Sequence, residues 1–294
     1  MSVVRALLAH IVDYAGLFAP ASLDMERAVR NYYEYRHGEY DWMLGNFVVP
    51  ATRLAEFAEA FDAVCAREDE KPWKLNVLCT GDDLRADVRL IDAMDLDRGS
   101  PEAYEAKALN ATAANQILKV LLRGHSRYIE FAPEKAGTVL PVLTRYEARA
   151  KLRTGGVTAE AIPPAKTVIR FLQACKRHRV PFKGTAGLHH AMRGTRALTY
   201  DLGSPTAKLH GFLNLLLTAA LVQMGAAEEA AVKTLLEEDP AAFRVDEEHE
   251  DAIEWHGNRL TVEQALQLRA ELVIGFGSCS FMEPVEDLQA MRWL

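Results

Sequence analysis

The sequence predicts an α/β chain in which eight strand–helix units close into a barrel. Short β-rich runs alternate with amphipathic helical patterns over the whole length, which is the signature of parallel βα units. The runs number eight, and 294 residues accommodate eight such units with insertions, about 250 residues being typical of the closed form. No Gly-x-Gly-x-x-Gly follows the first run, which argues against the open, doubly wound sheet. With no internal repeat and no low-complexity linker, residues 1–294 read as a single (β/α)8 TIM-like barrel domain, with helices and a hairpin inserted around the seventh strand.

The first run is Ile11 to Phe18, ended by Gly16 and Pro20, and a helix from Leu23 to Arg36 follows with Ser22 as N-cap. The second run, Met43 to Val49, stops at Pro50. Its helix, Leu54 to Arg67, places Leu54, Phe57, Ala58, Phe61, Val64 and Cys65 on one face. The third is Lys74 to Thr80, closed by Gly81-Asp82-Asp83, and two helical stretches broken near Gly99-Ser100-Pro101 follow it. The fourth is Arg127 to Phe131, closed by Pro133. The fifth is Ala150 to Thr154, closed by Gly155-Gly156, and the helix Ala165 to His178 starts after Pro163-Pro164. The sixth is Pro181 to Ala186, closed by Gly187. A long loop leads to a helix from Leu209 to Met224, the seventh strand falls at Phe243 to Asp246, and the eighth at Val273 to Cys279, before a last helix from Val285 to Trp293.

Composition narrows the function classes. The chain is 49% hydrophobic and 26% charged, which excludes wholesale disorder. Its net charge of −7 and the absence of a basic tail argue against nucleic acid as a partner. Residues 227 to 254 hold eleven acids against Lys233 and Arg244, read as a solvated helix and hairpin on the outside of the protein. Cys65, Cys79, Cys175 and Cys279 form no CxxC pair, which fits reduced thiols in the cytoplasm. The N-terminal segment carries Arg5, His10 and Asp13 without a cleavage site, so no signal peptide is expected. The longest apolar run, Phe212 to Met224, is too short to span a membrane, which takes about 20 residues.

In such a barrel, chemistry belongs at the C-terminal ends of the strands. That rule singles out Asp13, Asn76, Glu130, Lys151, Arg153, Lys183, Thr185 and Ser278. Strand periodicity puts Lys151 and Arg153 on one face, and Lys183 and Thr185 on one face. Lysine and arginine are rarely buried unpaired, so their presence in β-rich runs points either to a cationic barrel mouth with Glu130 and Asp13 as counter-charges or to a buried ion-pair layer. Lys183 is the expected nucleophile. It stands beside small residues in Phe182-Lys183-Gly184-Thr185-Ala186-Gly187, and desolvation together with Lys151 and Arg153 would make its amine neutral toward a carbonyl. Glu130 would move protons during carbinolamine formation and carbon–carbon cleavage.

A lysine followed by Thr185 and Gly187 on the expected sixth strand resembles the class I aldolases of the deoxyribose-phosphate aldolase type. In that family the strand-six lysine forms the Schiff base. A second lysine lies on strand seven and an aspartate on strand four. The resemblance implies a lyase with Lys183 in the first role. At the expected seventh strand there is no lysine, so Lys151 would substitute from the other side, and the expected fourth strand offers Glu130 in place of aspartate. The segments DYAGLF and GLHH resemble an uncharacterised bacterial family.

Two further constellations bear on the ligand. His189 and His190, with Glu130 and Asp13, form an alternative set for a divalent metal; otherwise no cofactor is expected. Gly155-Gly156 and Gly277-Ser278 offer backbone amides, and Arg193 and Arg196 offer charge, for a phosphorylated or carboxylated small substrate. The loop Met192 to Lys208 reads as a lid or an oligomer contact, and the apolar helix 209–224 as buried in a core or in a homodimer interface. The alternatives are a metal-dependent barrel lyase or hydrolase, and a non-catalytic anion-binding barrel.

Overall fold

A computed structural model describes residues 1–65, 71–80, 83–246 and 250–294. Eight parallel strands close into a barrel, taken here as β1 (Val12–Tyr14), β2 (Leu44–Pro50), β3 (Trp73–Leu78), β4 (Gly99–Lys107), β5 (Ser126–Glu130), β6 (Arg149–Arg153), β7 (Phe182–Thr185) and β8 (Val273–Ser278). Each pairs with its sequence neighbour, and β8 closes the ring on β1, with Asp13 opposite Gly277. Ala66 and Arg67 at the expected end of the second helix, Gly81 and Asp82 after the third run, and Glu247 and Glu248 of the acidic stretch lie outside the described residues.

Two errors in the expected strand count cancel. The stretch broken at Gly99-Ser100-Pro101 contains β4, whose pairing with β3 slips by one residue between Pro101 and Ala103. That bulge accommodates a proline that cannot donate to the ladder. The run at Phe243–Asp246 is not a barrel strand. Its core, Arg244–Val245, pairs antiparallel with Ala252–Trp255 in a small three-stranded sheet outside the barrel. The barrel strands at Arg127, Ala150 and Pro181 are therefore fifth, sixth and seventh, so Lys151 lies on strand six and Lys183 on strand seven.

Between β7 and β8 the chain inserts a hairpin (Gly194–Ala197 with Thr206–Leu209), three helices and the small sheet. The helix Phe212–Met224 is buried along nearly its whole length by this chain's own helices and β8, so its apolar surface belongs to the core and not to an interface with a second copy. The described acidic stretch forms the helix Glu228–Leu236 and the outer sheet, as the charge pattern suggests. The helix after β1 starts later than expected, at Met25: Asp24, not Ser22, caps it, accepting from the Arg27 N–H at 2.8 Å.

Strand periodicity sorts the barrel. Val12, Tyr14, Leu75, Val77, Tyr104, Ala106, Ile129, Ala150, Leu152 and Phe182 join the apolar core shared with the surrounding helices. The alternate positions face the barrel axis and include Asp13, Asn76, Glu105, Tyr128, Glu130, Lys151 and Lys183. A centre usually filled by branched aliphatic side chains is here filled by charge.

Candidate active site

The register carries Glu130, Lys151 and Lys183 to adjacent positions. Lys151 lies opposite Lys183 on the paired strands β6 and β7, and Glu130 lies opposite Lys151 on β5. Lys151 Nζ is 2.5 Å from Glu105 Oε2 and 3.8 Å from Glu130 Oε2. Arg153 Nε donates to Glu130 Oε1 at 2.9 Å. Lys183 Nζ donates to Asp13 Oδ2 at 2.6 Å, and also to Glu105. It lies 5.0 Å from the centre of the Tyr128 ring. Lys183 and Glu105 are each 2% exposed. Three carboxylates thus alternate with three cations from Asp13 to Arg153, and neither sign is left in excess. Buried charges persist only under such pairing.

The pairing fixes the resting protonation. Burial would raise the Glu105 carboxyl, but the ammonium groups of Lys151 and Lys183 overcome it and hold the acid down at about 2. Burial alone would drive Lys183 neutral. Asp13 and Glu105 reverse that and push its ammonium well above the usual lysine range. The expected effect of neighbouring cations on Lys183 is therefore overturned in the resting site, because two carboxylates stand closer to it than any cation does.

Above the charges, at the C-terminal ends of the strands, lies a cavity of about 280 Å³ lined by Val48, Leu78, Glu105, Glu130, Lys151, Arg153, Lys183, Thr185, His189, Gly277 and Cys279 among others. Lys151, Glu105, Glu130 and Arg153 also border a second recess of about 350 Å³ beside β3 and β4. A third cavity, about 170 Å³, shares Ala19, Ala186 and His189 with the mouth and runs beneath the 194–209 hairpin, where Arg196 and Tyr200 line it. The expected lid segment is thus a wall of this side cavity. Tyr200 ties it to the last helix by donating to Glu283 at 3.1 Å.

The remaining expected residues divide. Lys151, Lys183, Glu130, Arg153, Thr185, His189 and Gly277 meet at the mouth. Ser278 stands behind them, its Oγ 3.0 Å from His189 Nδ1. Burial pushes the His189 imidazole down to about 4, so it stays neutral near pH 7. Gly155 packs on Gly187: a Cβ added there would lie 3.0 Å from the Gly187 Cα, so a larger residue would push apart the loops after β6 and β7. Gly156 borders the side cavity.

Asp13 and Asn76 are not at the mouth. They lie under Lys183, Asn76 Nδ2 donating to Asp13 Oδ2 at 2.7 Å. Arg193 pairs with Glu238, away from the mouth. The four alternative metal ligands do not converge: His190 turns to Asp287 at 3.1 Å, His189 to Ser278, Glu130 to Arg153 and Asp13 to Lys183. No group of three or more potential metal-binding side chains occurs among the described residues.

Sequence reasoning missed Glu105 and Tyr128. Glu105 sits in β4, the strand read as helical. Its signal was the alternation of Ala103, Glu105 and Lys107 with Tyr104 and Ala106, masked by Pro101 two residues before Ala103.

Fold and site together define a (β/α)8 barrel with a lysine–carboxylate cluster at its mouth. No protein-family model and no curated protein sequence matches the chain. Among solved structures it weakly resembles one described as the unique tetrameric structure of deoxyribose phosphate aldolase from Aeropyrum pernix, with a TM-score of 0.44 and 14% identity, covering 65% of this chain and 86% of that one. Among the described residues, no helix is long and apolar enough to cross a membrane.

Proposed function

We propose that the protein is an aldolase-type lyase that forms a Schiff base between Lys151 and a small carbonyl compound carrying a phosphate or carboxylate. The observation that carries this reading is a pair of buried lysines at the mouth of a barrel, sharing one carboxylate, Glu105. With strands counted as they occur in the barrel, Lys151 takes the strand-six position of the nucleophile, Lys183 the second lysine on strand seven, and Glu105 the acid on strand four. Each departure from the aldolase pattern noted for the sequence arose from the miscounted strand, apart from glutamate in place of aspartate.

Lys151 suits the role better than Lys183. It borders both the mouth cavity and the adjoining recess, and its second carboxylate, Glu130, stands off at 3.8 Å, whereas both carboxylates of Lys183 are within hydrogen-bond reach. In the proposed reaction Lys151 gives a proton to Glu130, and its free amine attacks the carbonyl carbon. Loss of the carbonyl oxygen as water leaves an iminium. A carboxylate then removes the proton of the β-hydroxyl, the carbon–carbon bond breaks, and its electrons flow to the iminium nitrogen as an enamine. Protonation of the enamine carbon and addition of water release the second product and restore the lysine. Lys183, held charged, stabilises the carboxylates and stores a proton. Arg153, half exposed at the rim, takes the anionic end. The mouth cavity suits a ligand of a few carbons rather than a drug-sized one.

The test is reductive trapping. The protein is incubated with acetaldehyde, pyruvate or dihydroxyacetone phosphate and cyanoborohydride, with and without chelator, and its mass is read. One covalent adduct, indifferent to chelator and absent from Lys151→Ala, is expected. Adduct-free protein with every probe contradicts the reading, and a chelator-sensitive activity would favour the metal-dependent alternative. Where a cleavable substrate is found, Lys151→Ala lowers turnover by roughly 10,000-fold or more.

A further inference from the structure

The barrel has a second opening whose chemistry the reaction above does not use. At the N-terminal ends of the strands lies a cavity of about 550 Å³, lined by Asp13, Asn46, Asn76, Tyr128, Arg149 and Arg269 among others. Its lining mixes these polar and charged groups with Tyr32, Leu44 and Ile274, and an ion pair links it to the mouth cavity. Asp13 borders the lower cavity and not the upper; Lys183 borders the upper and not the lower. Between them is one hydrogen bond of 2.6 Å.

Asp13 is held for this position. The Asn46 backbone N–H donates to its Oδ1 at 2.9 Å, and Asn76 donates to its Oδ2 at 2.7 Å. Asn46 Nδ2 in turn fixes the Asn76 amide at 2.9 Å. A Cβ on Gly45 would lie 2.6 Å from Asp13 Oδ1, so the glycine lets the β2 backbone close over the carboxylate. From Asp13 the contacts run through Lys183 to Glu105 and on to Lys151, each a hydrogen bond.

We propose that the N-terminal cavity is a proton port, through which Asp13 reloads Lys183 with protons from solvent while substrate fills the mouth. This rests on the Schiff-base reading. Aldol cleavage removes one proton, from the hydroxyl, and adds one, to the enamine carbon. The first leaves on the mouth side with Glu130. The second comes from Glu105, which takes it from the Lys183 ammonium; Lys183 regains a proton from Asp13, and Asp13 from water in the port. No electrons change hands beyond the carbon–carbon bond and the enamine pair. A bound substrate blocks water from above, so a route from the opposite end keeps the enamine supplied.

Proton traffic is read in D2O with the same carbonyl probes, by NMR of hydrogen–deuterium exchange at the carbon next to the carbonyl, beside cyanoborohydride trapping on the same samples. Asp13→Asn is expected to keep the trapped adduct and to lose exchange by at least about 100-fold, the lower end of a general acid–base contribution. In Asp13→Ala, formate added to solution restores exchange, because the port admits a small carboxylic acid to the vacated place; a merely structural loss is not rescued this way. Gly45→Ala, which crowds Asp13, carries the same expectation as Asp13→Asn should the latter fail to fold. Exchange at the wild-type rate in Asp13→Asn overturns the port and leaves the Schiff base standing. Loss of adduct together with exchange, unrescued by formate, also overturns it. No adduct in the wild type with any probe overturns the parent reading, and the port falls with it.

Discussion

The two ends of the barrel are built from the same eight strands, yet they carry different chemistry. The C-terminal mouth is narrow, and its walls mix Val48, Leu78 and Cys279 with the amines and carboxylates that reach it from below. The N-terminal end is wider, and its walls set Asn46, Asn76, Tyr128 and arginines around Asp13 beside apolar Leu44 and Ile274. The layer of alternating charges divides them. On the proposed reading, the narrower site binds the substrate and the wider chamber below it passes protons. The difference follows from strand register: the same inward face that presents Lys151 and Glu130 at the top presents Arg149 and Tyr128 one step below.

The layer itself is where that division breaks most easily. Glu105→Gln removes the anion shared by two buried ammonium groups. It is expected to cost about 3–5 kcal/mol, the range for breaking a buried ion pair, seen as a lowered urea midpoint with an unchanged slope.

Acid probes the same layer without mutation. The Glu105 carboxyl, ordinarily near 4.5, is held at about 2 in the folded chain, so the unfolded chain binds its proton first as the pH falls. Its contribution is complete above pH 4.5 and is lost toward pH 2. His189 acts in the same direction over a higher window: lowered from 6.5 to about 4, it destabilises the fold as the pH drops between those values. Lys183 is raised, so its share is complete below its ordinary value of 10.5 and fades only in alkali. Thermal unfolding across pH 3–8 in steps should show stability falling in two stages on the acid side.

Arg153→Ala sharpens the distinction between binding at the mouth and support beneath it. Half exposed and paired with Glu130, the guanidinium contributes about 1 kcal/mol or less to stability. Its loss raises KM for an anionic substrate by about tenfold, the equivalent of 1.4 kcal/mol, with a smaller change in kcat. Asp24→Ala is the smallest expected effect. It removes the N-cap of helix Met25–Arg36, outside the barrel, and lowers stability by about 1 kcal/mol with KM unchanged.

Much of this architecture was legible from pattern alone. Alternating runs at Met43, Lys74, Arg127, Ala150, Pro181 and Val273 gave barrel strands because their outward positions are apolar and face helices. The helix Ala165–His178 ended where the sequence placed it, one face buried and a left-handed Arg179 after it. The failures have physical causes. β4 carries proline at a bulge and inward carboxylate, so its hydrophobic alternation is thin. Phe243 to Asp246 has β-forming residues but pairs locally with Ala252–Trp255, a choice that depends on what the rest of the chain leaves open.

Those two misreadings kept the total at eight and displaced every strand between them by one. That Lys151 and Lys183 have a special setting was legible, because cations in β-rich runs need a reason, and the structure pairs both with Glu105 inside the barrel. Which amine the proposed reaction would use was not legible, since that reading depends on Glu105, a residue 46 positions before Lys151 in the chain and 2.5 Å from it in space.

The most direct measurement is to locate the trapped carbonyl. After cyanoborohydride reduction with each probe, the protein is digested and the modified peptide sequenced by tandem mass spectrometry. The account predicts the adduct on Lys151, in the β6 peptide, with Lys183 unmodified. An adduct on Lys183, or modification confined to surface lysines, would contradict it.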